Sequence, residues 1–135
     1  MSNTSTRRHR GFTLIEMMVV ISVILILLGV ALPIYSHALT RKREDNLRRN
    51  LETLNQMIFQ YTMDKQKPPQ SLDDLKSAKY LERIPEDITG REDTWVTEPG
   101  DGSIMSPEQK DTDGIVGVHS GSDKIGSNGK AYSTW

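Results

Sequence analysis

Residues 12–32 form a run of 21 residues whose only polar side chains are Thr13, Glu16 and Ser22. At a rise of 1.5 Å per residue, such a helix spans about 30 Å, the thickness of a bilayer's hydrocarbon core. Glu16 is the anomaly. A carboxylate without a partner in hydrocarbon costs on the order of a few kcal/mol, so its presence calls for a specific counter-charge. Ahead of the run stand Arg7, Arg8 and Arg10 without any acid, then Gly11. A secretory signal has the same order, with Ala31 or Ala38 available for cleavage. This run is longer than the usual signal core, however, and neither a signal nor a plain anchor has a use for Glu16.

The string Arg10-Gly11-Phe12-Thr13-Leu14-Ile15-Glu16-Met17 resembles the class III leader junction of type IV pilins and type II secretion pseudopilins. The resemblance implies that residues 1–11 are a leader, cut between Gly11 and Phe12 by prepilin peptidase on the cytoplasmic face. The same enzyme would then N-methylate Phe12. It also implies that residues 12–35 serve first as a transmembrane helix and then as the filament core, with Glu16 neutralising the Phe12 amino group of a neighbouring subunit. Electrostatics agrees, because a buried carboxylate and a buried ammonium are each costly alone and relieve one another when paired. One pattern opposes this orientation. Arg41, Lys42, Arg43, Arg48 and Arg49 follow the span, and bases near a membrane helix favour the cytoplasmic side.

Pro33 removes a helical hydrogen bond and crowds the preceding turn, so it predicts a kink or local melting, or else a helix that stops at Leu32. Gly29 lowers the cost of local extension. In the family, a proline here accompanies a helix that is continuous in the monomer and partly unwound in the filament. Residues 39–63 contain neither Gly nor Pro. Leu47, Leu51, Leu54, Ile58 and Tyr61 recur at steps of three and four, which draws one apolar stripe on a helix. Residues 36–67 therefore read as an amphipathic second half of the helix, its stripe laid on a small sheet or used as a short coiled-coil seam. Lys67-Pro68-Pro69 ends it.

Residues 68–135 read as a small α+β head. Ser71 and Asp74 mark the start of a short helix with Leu72 and Leu75 on its apolar side. Eight of the ten glycines lie between Gly90 and Gly129, which favours turns. Strands are expected at 94–98, 115–119 and 131–135, forming a three-stranded antiparallel sheet packed on the helix, with an exposed polar loop over 99–114. The order Tyr61, Pro68-Pro69, Leu72, Leu75, Tyr80-Leu81 and Pro85-Glu86-Asp87 resembles the major, G-type pseudopilins. So do Asp93-Thr94-Trp95, the stretch Val118-His119-Ser120-Gly121-Ser122 and the closing Tyr132-Ser133-Thr134-Trp135. The fold class expected is thus α+β and pilin-like, a long N-terminal helix packed on a small antiparallel sheet.

The formal charge is -1, but residues 86–135 hold ten acids against four bases, a net of -6. That balance disfavours nucleic-acid binding, which needs clustered bases. With no Cys there is neither disulfide nor thiolate chemistry. His37 and His119 stand far apart, and no nucleophile motif accompanies them, so no enzymatic activity is expected. Major pseudopilins commonly bind calcium in an acidic C-terminal loop. The corresponding stretch 120–130 offers Asp123 and Asn128, a thin donor set for an ion that takes six to eight oxygens.

The expected function is mechanical: a structural filament subunit of the inner membrane with its C-terminal part in the periplasm. It would homopolymerise through its N-terminal helices, alone or with other pseudopilins or pilins, on an inner-membrane assembly platform. A type II secretion pseudopilus is the first expectation. A type IV pilin or minor pilin for adhesion, motility or DNA uptake is the alternative. A signal-anchored periplasmic binding or enzymatic domain is the rival of another class.

Overall fold

The structure, a computed structural model, describes residues 11–102 and 104–135. Two compact units divide the chain, one ending at Ala38 and the other beginning at Leu39. Helix α1 (Leu14–Lys65) runs through 52 residues with Pro33 inside it, so the helix does not stop at Leu32. Pro33 supplies no N–H for the Gly29 carbonyl, while its own carbonyl accepts the Ser36 hydroxyl at 2.9 Å. In the first unit the apolar side chains are uncovered. None of the most hydrophobic stretch of α1 is buried, and its length and mean hydropathy of 2.9 are enough to cross a membrane.

The second unit has a core built on the remaining half of α1. Leu47, Leu51, Leu54 and Ile58 are buried there, with Glu44 and Thr62 on the same stripe. Leu54 and Ile58 are fully covered, each such burial stabilising by about 1.5–3 kcal/mol. Tyr61 lies half-buried at the margin and packs edge-to-face on Tyr80, with ring centroids 5.4 Å apart. The helix ends where Gln66 takes φ 58, a left-handed residue that turns the chain into buried Pro68 and Pro69.

Helix α2 (Leu72–Ser77) follows. The Asp74 carboxylate reaches back to accept the N–H groups of Ser71 at 3.1 Å and Gln70 at 2.8 Å, the reciprocal half of a capping box. Strands β1 (Trp95–Pro99) and β2 (Ile115–Ser120) pair antiparallel, with Trp95 opposite Ser120 and a register shift at Glu98/Pro99. Trp95, Ile115 and Val118 join the α1 leucines and Leu75 in the core. The architecture is α+β, a long N-terminal helix with a small antiparallel sheet on its second half, as the sequence leads one to expect.

The third strand differs. Residues 131–135 make one bridge, Ile125 to Ala131, and then a 3₁₀ turn, Tyr132–Thr134. The reason lies in the spacing of two aromatics. Residues three apart point to opposite faces of a strand but eclipse one another in a 3₁₀ turn. Tyr132 and Trp135 pack against each other with centroids 5.1 Å apart, which only the turn permits.

Candidate assembly site and the Glu44 anchor

At the start of α1, Gly11 and Phe12 are exposed and precede the first helical turn. The Thr13 hydroxyl accepts the Glu16 N–H at 3.3 Å. Thr13-Leu14-Ile15-Glu16 thus has the register of a capping box, with Glu16 in the first turn where the helix dipole favours an anion. The Glu16 carboxylate itself has no hydrogen bond or ion pair among the described residues. The fold therefore presents a carboxylate at the head of an uncovered apolar helix, close behind Phe12. Gly29 and Pro33 both lie within α1, and open space surrounds the position of a Cβ on Gly29.

Asp123 and Asn128 are exposed and already engaged. Asp123 Oδ1 accepts the Ser133 hydroxyl at 2.8 Å, and Asn128 Oδ1 accepts the Lys130 N–H at 2.9 Å. Among the described residues no group of three or more His, Cys, Asp or Glu gathers. One carboxylate and one amide oxygen do not fit calcium's need for several charged oxygens. His119 Nδ1 lies 3.1 Å from Glu98 Oε1 across the sheet.

The same C-terminal loop is fastened by a residue whose role is not evident from sequence. Glu44 is 2% exposed. Its carboxylate accepts the Ser127 N–H at 2.7 Å, the Ser127 hydroxyl, and the Tyr132 hydroxyl at 2.9 Å. Burial by itself raises the Glu44 pKa, but the Ser127 and Tyr132 hydrogen bonds and the nearby Arg48 charge outweigh it and hold the pKa below 4.5. Burial, together with the Glu44 bond and charge, raises the Tyr132 phenol above its usual 10.0. The loop must come close to be held. A Cβ on Gly126 would stand 2.6 Å from the Trp135 ring and 2.9 Å from Tyr132. Arg48, one turn beyond Glu44, lies 4.4 Å over the Trp135 ring. The available signal was spacing, since Glu44 precedes Leu47 by three residues and so falls on the stripe.

A second anchor is Asp87, buried in Pro85-Glu86-Asp87. It accepts the Thr94 hydroxyl at 2.9 Å and the Gly121 N–H at 3.3 Å, while the Trp95 indole donates to the Pro85 carbonyl at 2.7 Å. From α1, Asn50 donates to the Glu86 carbonyl at 2.8 Å and Asn55 accepts the Val118 N–H at 3.0 Å.

A long apolar N-terminal helix, headed by a lone carboxylate and carrying a small α+β unit, defines a pilin-like structural subunit. Comparison with known proteins agrees. The family described as "Prokaryotic N-terminal methylation motif" matches residues 6–32. Competence protein ComGC of Halalkalibacterium halodurans is 36% identical over 72 residues, covering 53% of this chain and 71% of that protein. No solved structure matches. The chain belongs to the pilin-like family that includes this ComGC and carries the N-terminal methylation motif.

Proposed function

We propose that this chain is the subunit of a pilus-like filament, cut between Gly11 and Phe12 by prepilin peptidase and methylated at Phe12. It enters the inner membrane through residues 12–35, with the unit from Leu39 onward outside, and polymerises by bundling these helices. Glu16 then pairs with the Phe12 ammonium of a neighbouring copy. The observation that carries the reading is the Glu16 carboxylate, unpartnered among the described residues at the head of an uncovered apolar helix. Packing against identical helices removes that apolar surface from lipid, and the pairing relieves the charge.

Two systems fit such a filament. The likeness to a protein named for competence favours a filament for DNA uptake. The Pro85-Glu86-Asp87 element, here seen stapling β1 and the segment after β2, supports the G-type pseudopilus of type II secretion. A deletion strain separates them: loss of transformation with secretion intact supports the first, and the reverse supports the second. Mass spectrometry of the mature protein tests the shared core. A methylated Phe12 at the N terminus is expected, whereas a chain starting after Ala31 or Ala38 contradicts the reading.

A further inference from the structure

Arg41, Lys42 and Arg43 follow one another on α1 at steps of about 100° and so wrap more than half of its circumference. All three are exposed, as is Arg49. Among the described residues none of these four side chains has an ion pair or hydrogen bond. Arg48 behaves differently, with Asp45 at 3.2 Å and the Trp135 ring beneath it.

At the other end of this half-helix, beside Lys65 and Lys67, lies an acidic loop. Residues 104–114 hold Glu108, Asp111 and Asp113 against Lys110 alone. This loop is tied to the C-terminal end of α1, where the Lys110 N–H donates to the Gln66 carbonyl at 3.0 Å. Gln66 Nε2 donates to Glu108 at 3.0 Å, and Gln70 Nε2 to the Asp113 carbonyl at 2.7 Å. The Glu108 and Asp111 carboxylates accept from neutral donors, Gln66 and the Asp113 N–H, so their charges stay uncompensated. From Lys42 to Lys65 the helix rises about 35 Å. Among the described residues, the unit beginning at Leu39 thus has bases without an ion pair at one end of its helix and, at the other, loop carboxylates without an ion pair beside Lys65 and Lys67.

We infer that the basic face formed by Arg41, Lys42, Arg43 and Arg49 is a docking surface for the acidic 104–114 loop of a second copy of this chain. The inference rests on the filament reading above. In copies whose helices run parallel, the two ends meet head to tail, a heterologous contact that does not close and so extends a filament. Opposite charges steer the encounter and set the register, and like charges placed there repel.

The chain has no Cys, so a Lys42→Cys, Asp111→Cys double variant carries one thiol at each end. Mild oxidation of its sheared filaments is expected to give a ladder of disulfide-linked multimers, absent when either thiol is alone. Reversing the basic face with Arg41→Glu and Lys42→Glu should lower filament yield roughly tenfold or more, since each 1.4 kcal/mol of lost contact is a factor of ten. Reversing the loop with Asp111→Lys and Asp113→Lys should do the same, and combining all four changes should restore assembly. Normal filaments from each reversed chain, without a ladder, overturn the contact and leave the filament reading standing. An unaltered chain that forms no filaments under any condition counts against the filament reading itself. Failed rescue, together with weaker binding of the Arg41→Glu, Lys42→Glu chain to phosphatidylglycerol vesicles, overturns the contact and assigns the face to lipid headgroups. The ladder does not depend on how well the reversed chains fold.

Discussion

Glu44 shows how much one charged side chain contributes when its partners are in place. Three donors from the C-terminal loop converge on it, and removing the carboxylate would strand the buried Tyr132 hydroxyl and release the two Ser127 donors. Glu44→Ala is therefore expected to destabilise the protein by about 2–3 kcal/mol, read from urea unfolding of the detergent-solubilised chain. The pH dependence follows from the direction of the shift. Folding lowers the Glu44 pKa from its ordinary 4.5. Its contribution is therefore fully present above 4.5 and is lost as pH falls through the lower, folded-state value. Melting temperatures of the unaltered chain and of Glu44→Gln should differ at pH 7 and converge in acid. A difference that persists unchanged at pH 3 contradicts the ionised anchor. Charged helix residues are mostly solvated, so residue type alone gives Glu44 no buried role. Its place on the stripe was legible, but the donors it meets lie more than eighty residues away. Glu16 shows the complementary case. Its oddity in an apolar run is plain from sequence, whereas the Thr13 cap that sets it in the first turn appears once the helix start is seen.

Among the elements, the helix was the most legible. Leucines at steps of three and four mark the buried stripe whatever they pack against, and two prolines fix its end. The C-terminal segment was the least legible. Tyr132 and Trp135 stand three apart, a spacing that a strand would split between its faces, and nothing local shows that both aromatics must turn to one side. Pro85-Glu86-Asp87 stands between these cases: visible as a family likeness, it gains a physical reason from the structure. Asp87 joins the loop before β1 to Thr94 and to Gly121 after β2. Asp87→Ala is expected to cost about 1–3 kcal/mol and to leave the Gly121 N–H unpaired. Hydrogen exchange should show faster exchange at Gly121, with protection along residues 47–58 of α1 retained. Loss of protection along that helix instead would mean that Asp87 organises the whole unit.

For the molecule as a whole, the chain divides its work between two units. Residues up to Ala38 offer an apolar helix with no partner among the described residues, and residues from Leu39 onward form a packed α+β unit with a core of its own. In the proposed filament neighbouring copies supply the first unit's partners, and Glu16 is the residue on which that proposal turns. The most direct measurement is electron microscopy of sheared filaments from a Glu16→Ala strain, alongside membrane fractionation of the same cells. On the filament reading, this chain is processed at Gly11 and inserted in the membrane in normal amount but yields no filaments. Normal filaments from Glu16→Ala would contradict it.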